Sequence, residues 1–399
     1  MAPPSPFVLK WGVMATGAIA ECFCKDLLTD PASRNVDDVR HELVAVASST
    51  SVDRATQFIH KIKAPESTKP YASYQELVAD PDVDIVYVAT PHSHHFQNAM
   101  LALEAGKNVL CEKSLTVNAT QAKTLVEKAK AKRLFLMEAV WTRYFPLSIK
   151  IREMVAAGEI GTVYRTLADL SFNETDVQNH DCVTFADSHR MVNLDLAGGA
   201  LLDLGVYPLT WVFQTLYHVQ PEKEKEAPRV VAAINHYKTG ADEMTSLICQ
   251  FPRHRSMGVA TTSILVATNP NDQHSIPAVR IQGTKGEIQV SHPAYRPTQF
   301  KVLRKQTPGK IEVVDCPIPT DPKRGDWGHG MFWEADECAR CLREGRKESR
   351  SMPWSESIAI MQVMESALEQ GGVVYPDLIT TNIFDVQSPL NTGKQTREG

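Results

Sequence analysis

Short apolar runs alternate with amphipathic stretches through the first part of the chain. Val8–Ala15, Glu42–Ala47, Asp84–Thr90, Asn108–Cys111 and Leu134–Val140 are too short for buried helices and read as strands. Between them lie stretches of helical period, among them Ile19–Leu28 and Phe96–Ala105, the latter stopped by Gly106. This β–α alternation predicts a parallel sheet with helices on both faces. Beyond Pro146 the texture changes. A helix over Leu147–Ala157 precedes strand candidates at Thr162–Phe172, Val230–Tyr237, Thr245–Phe251, Gly258–Val266, Ala278–Gln282, Glu287–Val290 and Phe300–Arg304, with a turn at Gly283–Gly286. One apolar helix, Gly199 to about Leu216, interrupts them, and helices at His329–Glu344 and Ser355–Gln370 close the pattern. The expected fold class is α/β. Residues 1–142 form a doubly wound domain, 143–385 an α/β domain with a large, mostly antiparallel open sheet, and 386–399 a loose tail.

Composition narrows the function classes. Net charge is −5 without a basic block, so no nucleic-acid or membrane surface is expected. No apolar run is expected to approach the roughly 20 residues of a membrane span. The N-terminus lacks a charged-then-apolar leader pattern, and eight cysteines are too sparse for a disulfide scaffold, so the cytoplasm is the expected compartment. The Cys338/Cys341 pair sits on a predicted helix without a preceding strand or a second pair, and reads as packing, as do Cys22 and Cys24.

Candidate chemistry lies at strand ends. Glu112 and Lys113 end the fourth long strand, where open α/β sheets bind their ligands. The first strand runs into Ala15-Thr16-Gly17-Ala18-Ile19, a glycine-bearing turn that can point backbone N–H groups at a pyrophosphate, although Ala15 stands where glycine is usual. The second strand ends in Ser48-Ser49-Thr50, with no carboxylate before Asp53 and with Arg54 one turn into the next helix. Hydroxyls and a cation suit a 2′-phosphate, which favours NADP over NAD. Thr90-Pro91-His92-Ser93-His94-His95 reads as a ligand-facing loop; no metal is expected, since nothing nearby completes a ligand set. In Gly198–Pro208, Asp203 and Tyr207 lie four apart on one helix face, and a lysine near the tyrosine would lower its pKa for acid–base work. Trp141, Tyr144 and Phe145 read as core, with sugar stacking by Trp141 the lesser alternative.

Together these segments resemble the Gfo/Idh/MocA oxidoreductase family. The resemblance rests on the Gly17 turn, Thr90–His95, Ala105–Lys113, Met137–Arg143, Gly198–Pro208, Gly283–Gly286 and Glu334–Pro353. Tyr207, Trp141-Thr142-Arg143 and Glu337–Arg340 are similar to the branch holding dimeric dihydrodiol dehydrogenases and NADP-dependent D-xylose 1-dehydrogenases. Ser114 departs from the proline that usually follows the Glu–Lys pair. The resemblance implies an N-terminal Rossmann domain, a C-terminal domain whose open sheet forms a homodimer face, and an active site between them. It implies NADP held by residues 15–19, 48–50, Arg54, Thr90, Pro91, His92, His95, Glu112, Lys113, Trp141 and Arg143. Lys113, Asp203 and Tyr207 would be catalytic, with Asp176, Arg190 and Asn193 lining a sugar pocket. The implied reaction is oxidation of an aldopyranose at C1, D-xylose to its lactone. A trans-dihydrodiol as substrate, a sugar or keto-compound reductase working from NADPH, and a non-catalytic NADP-binding sensor are the alternatives.

Overall fold

The computed structural model describes residues 5–173, 185–270 and 276–393. The N-terminal half consists of β1 (Phe7–Met14), α1 (Ala18–Leu27), β2 (Val39–Ala47), α2 (Val52–Lys61), β3 (Lys69–Tyr71), α3 (Tyr74–Ala79), β4 (Ile85–Val88), α4 (His92–Glu104), β5 (Asn108–Glu112), α5 (Ala119–Lys132) and β6 (Leu136–Ala139). The strands are parallel in the order β3-β2-β1-β4-β5-β6, so the order reverses between β1 and β4. The short central strand β4 and the edge strand β6 are buried at every position, as a sheet covered on both faces demands. Side-chain caps start the helices: Ser51, Ser73 and Asn118 each accept from a first-turn N–H.

The second half contains α6 (Pro146–Ala156), β7 (Val163–Ser171), α7 (Val206–Leu216), β8 (Arg229–His236), β9 (Asp242–Phe251), β10 (Ser256–Ser263), β11 (Pro277–Gly283), β12 (Gly286–Ser291), β13 (Gln299–Arg304), β14 (Ile311–Asp315), α8 (Phe332–Arg343), α9 (Trp354–Gly371), α10 (Asp377–Thr380) and α11 (Pro389–Thr392). Its eight-stranded sheet runs β14-β13-β12-β11-β7-β10-β9-β8 and is antiparallel except between β7 and β10. The predicted strands are all present; β3 and β14 are added, the first too short and the second too polar to carry an apolar pattern. Against the membrane expectation, Leu194–Leu216 is apolar enough by composition to span a bilayer, and 89% of its hydrophobic window is buried, where it covers the sheet. Within it Leu201–Gly205, just ahead of α7, is π-helical, so Asp203 and Tyr207 do not keep ordinary α-helical spacing.

The chain returns to its first half. Asp336 on α8 pairs with Arg34 at 2.8 Å and accepts from His41 Nε2 at 2.9 Å, all fully buried. Trp11 Nε1 donates to His41 Nδ1 at 3.2 Å, so the imidazole is the neutral tautomer with its proton on Nε2. Burial lowers the His41 pKa, which agrees with that tautomer. Burial opposes ionisation of Asp336, yet Arg34 and His41 hold its pKa down at about 2. Residues through Gly393 also dock on α4, with Leu390 and Asn391 buried. The described part of the expected loose tail is therefore ordered, because buried amides on α4 bind its backbone. The CxxC cysteines, Cys338 and Cys341, are buried and their thiols are pushed up by burial, as packing residues would be.

Candidate active site

The carboxyl ends of β1, β2, β4 and β5 open onto a cleft of about 550 Å³ at the point where strand order reverses, closed on the far side by residues of β7 and the segment preceding α7. One end is built for a phosphate-bearing ligand. Ala15 takes φ 79°, the turn a glycine would make freely, at roughly 1–2 kcal/mol for a residue with a side chain. Its N–H donates to Ala47 O at 3.1 Å, which fixes the turn. Gly17 caps α1 without a side-chain bond, and a Cβ there would meet nothing within 4 Å. The N-terminus of α1, the positive end of a helix, thus borders the cleft. Alongside, the Ser48 and Thr50 hydroxyls lie 2.8 Å apart, and Thr50 N donates to Ser48 Oγ at 3.3 Å. Ser49 and Arg54 complete this wall; Arg54 is exposed and forms no ion pair with a described carboxylate. Hydroxyls and an uncommitted cation, with no acid at the strand end, fit a ribose 2′-phosphate.

The other end gathers the proton-handling groups. Lys113 Nζ donates to Asp203 O at 2.6 Å and to Asp203 Oδ1 at 3.0 Å, and sits 5.1 Å from the Tyr207 ring centre. Burial works against Asp203 ionising, but Lys113, Arg190 at 3.1 Å and His92 at 3.9 Å hold its carboxyl well below the usual range. Tyr207 Oη accepts from Trp141 Nε1 at 2.6 Å, and His329 stacks on Trp141 at 4.8 Å. Burial and the Glu112 carboxylate push the Tyr207 phenol well above its ordinary value. This corrects the expectation that Lys113 lowers it. The lysine's charge is matched by Asp203, and the group bonded to the phenol oxygen is Trp141. Burial raises Glu112 to about 7; it accepts from the Tyr87 hydroxyl and from Lys113 N.

His92 and His95 share the first turn of α4, which begins earlier than periodicity suggested. Burial pushes their pKa values down to about 3 and about 4. His95 is wedged between Thr90 O at 2.9 Å and Ser114 O at 2.8 Å, and so ties the β4 and β5 ends together. Ser114 Oγ donates to Leu202 O at 2.8 Å, which anchors the turn that a proline would stiffen.

Of the residues singled out from sequence, Ala15–Ile19, Ser48–Thr50, Arg54, Thr90, Pro91, His92, His95, Glu112, Lys113, Trp141, Arg190, Asp203 and Tyr207 line the cleft. Arg143 does not. It is fully buried, paired with Glu356 at 2.7 Å and bonded to Ser351 O, so it has no reach to a dinucleotide. Asn193 is also absent from the lining; its side chain accepts from Asp195 N at 2.9 Å and caps a short turn. Asp176 lies outside the described residues. Trp141, read as core from its local pattern but as a cofactor-site residue from the resemblance, lies on the cleft wall. Phe172, Tyr295 and His329 were missed as lining residues. A signal for His329 was its glycine flanks. Gly330 takes φ 105°, and a Cβ there would stand 2.5 Å from Phe145 Cζ, so the chain can bend and lay His329 on Trp141.

Residues 9–140 match the model of the Gfo/Idh/MocA oxidoreductase family with an NAD-binding Rossmann fold, and residues 148–289 match the Gfo/Idh/MocA C-terminal domain. The chain is 68% identical to a D-xylose 1-dehydrogenase (NADP+) of Hypocrea jecorina, over 99% of this chain and 100% of that protein. It is 35% identical to the human trans-1,2-dihydrobenzene-1,2-diol dehydrogenase, over 92% of this chain and 98% of that one. Among solved structures, a levoglucosan dehydrogenase with NADH and levoglucosan matches at TM-score 0.76 and 18% identity, covering 92% and 97% of the two chains. A 3-ketoreductase from Actinomadura kijaniata with NADP matches at TM-score 0.69 and 21% identity, covering 92% and 98%. At these identities the two structures speak for the fold alone.

Proposed function

Because this chain belongs to the Gfo/Idh/MocA oxidoreductase family, we propose that it is an NADP-dependent aldose 1-dehydrogenase that oxidises D-xylose to D-xylonolactone. The observation that carries the reading is the chain of contacts from Asp203 to Lys113, Lys113 to the Tyr207 ring, and Tyr207 to Trp141, at one end of a cleft whose other end suits a 2′-phosphate. The 68% identity to a D-xylose 1-dehydrogenase (NADP+) supports the substrate and the cofactor. NADP, when bound, supplies the hydride acceptor. The chain's own work is on the proton and on position. Tyr207 Oη takes the proton of the C1 hydroxyl as the C1–H pair leaves, so that the C1–O bond becomes the lactone carbonyl. Trp141 Nε1 stabilises the tyrosinate by donating to it. Lys113 spends two donors on Asp203 and keeps a third for the substrate oxygen. Asp203 and Arg190 face the sugar hydroxyls, and Trp141, Tyr295 and Phe172 exclude water around them.

A pH profile follows from the raised phenol. The base form is the tyrosinate, which is scarce below its pKa, so kcat/KM for oxidation rises with pH by about tenfold per unit until that pKa is reached. Initial rates between about pH 6 and 9 read this directly, and a flat profile would remove Tyr207 as the base.

The function itself is tested by NADPH formation with D-xylose, D-glucose and a trans-dihydrodiol, each with NADP and with NAD. Fast NADP reduction with D-xylose is the expected result. Turnover of the diol alone would reassign the substrate, a reading favoured by the aromatic wall of Trp141, Phe172 and Tyr295. NADP binding without turnover of any substrate would make the protein a sensor.

A homodimer through the eight-stranded sheet belongs to the same proposal. Val231, Ile248, Val259 and Leu167 lie in register across four neighbouring strands, and the first two are exposed. Such an apolar row on an open face supports a partner there. The free cysteines among the described residues support a cytoplasmic setting.

A further inference from the structure

Helices α4 and α5 carry amide side chains where helical periodicity reserves space for apolar contact. Gln97, Asn98 and Gln121 are almost wholly buried, and the amide nitrogen of each donates to residues 379–391. Gln121 Nε2 donates to Ile379 O and Thr381 O, both at 2.8 Å, and Asn118 Nδ2 to Thr380 O at 3.0 Å. Gln97 Nε2 donates to Ile383 O at 2.8 Å while its Oε1 accepts from Asp385 N at 3.0 Å. Asn98 Nδ2 donates to Leu390 O and Asn391 Oδ1, both at 2.9 Å. Two helices of four residues each, α10 and α11, are the only regular structure in this segment. The amides, rather than any ladder of its own, therefore hold it on the N-terminal domain.

The segment ends at the cofactor cleft. Gly393 takes φ 65°, and a Cβ on it would stand 2.8 Å from both Cβ and O of Ser49 and 3.0 Å from its Oγ. Ser49 lies in the middle of the hydroxyl loop that lines the cleft beside Arg54. Ser48 is tied to β3 through its N–H on Tyr71 O at 3.2 Å, and its hydroxyl meets that of Thr50, whereas Ser49, in the middle of the loop, has Gly393 packed directly against it.

We propose that residues 376–393 are a working part of the cofactor site: a strap that fixes the Ser48–Thr50 loop in the position that receives the 2′-phosphate, and so sets the preference for NADP over NAD. The proposal rests on the NADP reading above. It is specific to the 2′-phosphate, because the pyrophosphate turn at Ala15–Gly17 is held by the Ala47 carbonyl and not by the strap.

Two variants test it: a chain ending at Gln387, and full-length Gly393→Val, which pushes on Ser49 while leaving every amide bond of the strap in place. Dissociation constants of NADP and NAD are measured by calorimetry on the cofactor-free proteins, with hydrogen exchange at residues 48–50 in parallel. NADP binding is expected to weaken about tenfold or more, the worth of one hydrogen bond to a charged group, with NAD binding little changed and exchange at the loop faster. Unchanged NADP affinity in both variants, or equal weakening for NADP and NAD, would overturn the strap's role. A full-length protein with no preference for NADP would overturn the cofactor reading beneath it; unchanged loop exchange would instead refute the Gly393–Ser49 contact alone.

Discussion

Tyr207→Phe is expected to lower D-xylose turnover about 100- to 10,000-fold, the range a positioned general acid–base group supplies, while NADP still binds. The phenol oxygen is the atom removed, and its one hydrogen-bond partner among the described residues is Trp141 Nε1. The ring keeps its place against Tyr295 and under Lys113, so the cleft keeps its shape. Loss of one hydrogen bond costs about 1 kcal/mol of stability, small enough to separate a catalytic effect from unfolding. Steady-state rates, a dissociation constant for NADP and a melting temperature are the measurements. A variant with rates near those of the parent would end the assignment of Tyr207. The same variant should flatten the climb of kcat/KM with pH, since the group whose ionisation sets it is gone.

Lys113→Met is expected to cost about 100- to 1,000-fold in kcat, the effect of removing one preorganised donor from a developing oxyanion. Methionine keeps the length of the lysine stem and drops the charge. What remains matters as much as what is lost. Asp203 is left with exposed Arg190 and with His92, which burial keeps neutral around pH 7. Its carboxyl pKa should rise in the variant because the larger of its balancing charges is gone. Breaking a buried pair can cost about 3–5 kcal/mol, and protonation of Asp203 offers a way to soften that loss. The sign is then fixed. Asp203 has a depressed pKa in the parent, so its contribution to stability is present above the unfolded carboxylate pKa and fades as pH falls below it; in the variant that contribution shrinks. Melting temperatures at neutral and acid pH read this, and rates read the donor. If kcat were untouched while stability fell, Lys113 would be a structural partner of Asp203 and nothing more.

The arrangement also shows where a lysine–tyrosine pair differs from a lysine that simply activates a tyrosine. Lys113 is bound up with Asp203, and its Nζ lies over the Tyr207 ring rather than at Oη. Trp141 is the hydrogen-bond donor at the oxygen. In this geometry the resting phenol is neutral, an acid suited to carbonyl reduction. On the proposed mechanism, oxidation would draw on the smaller tyrosinate population, which the Trp141 hydrogen bond would favour.

Sequence alone determined the elements that follow from local periodicity and the chemistry that follows from strand ends. The five long strands of the parallel sheet, the seven predicted strands of the second sheet, the Ala15–Ile19 turn, the Ser48–Thr50 loop and Lys113 could all be read, because apolar runs and turn residues act over a few positions. The positions of Asp203 and Tyr207 were also legible, though their relative geometry was not, since a π-helical turn has no distinct local signature. Only tertiary structure decided the rest. Arg143 and Trp141 stand two residues apart in sequence, yet one is sealed in an ion pair with Glu356 and the other faces the cleft. Tyr295 and His329 reach the site from more than eighty residues beyond Tyr207, through a contact order no periodicity encodes. The segment from residue 386 on reads as a loose tail until the buried Asn98 amide of α4 is seen to need partners. A hydrogen-bond donor closed off from water must be satisfied, and which distant carbonyl satisfies it is settled by packing.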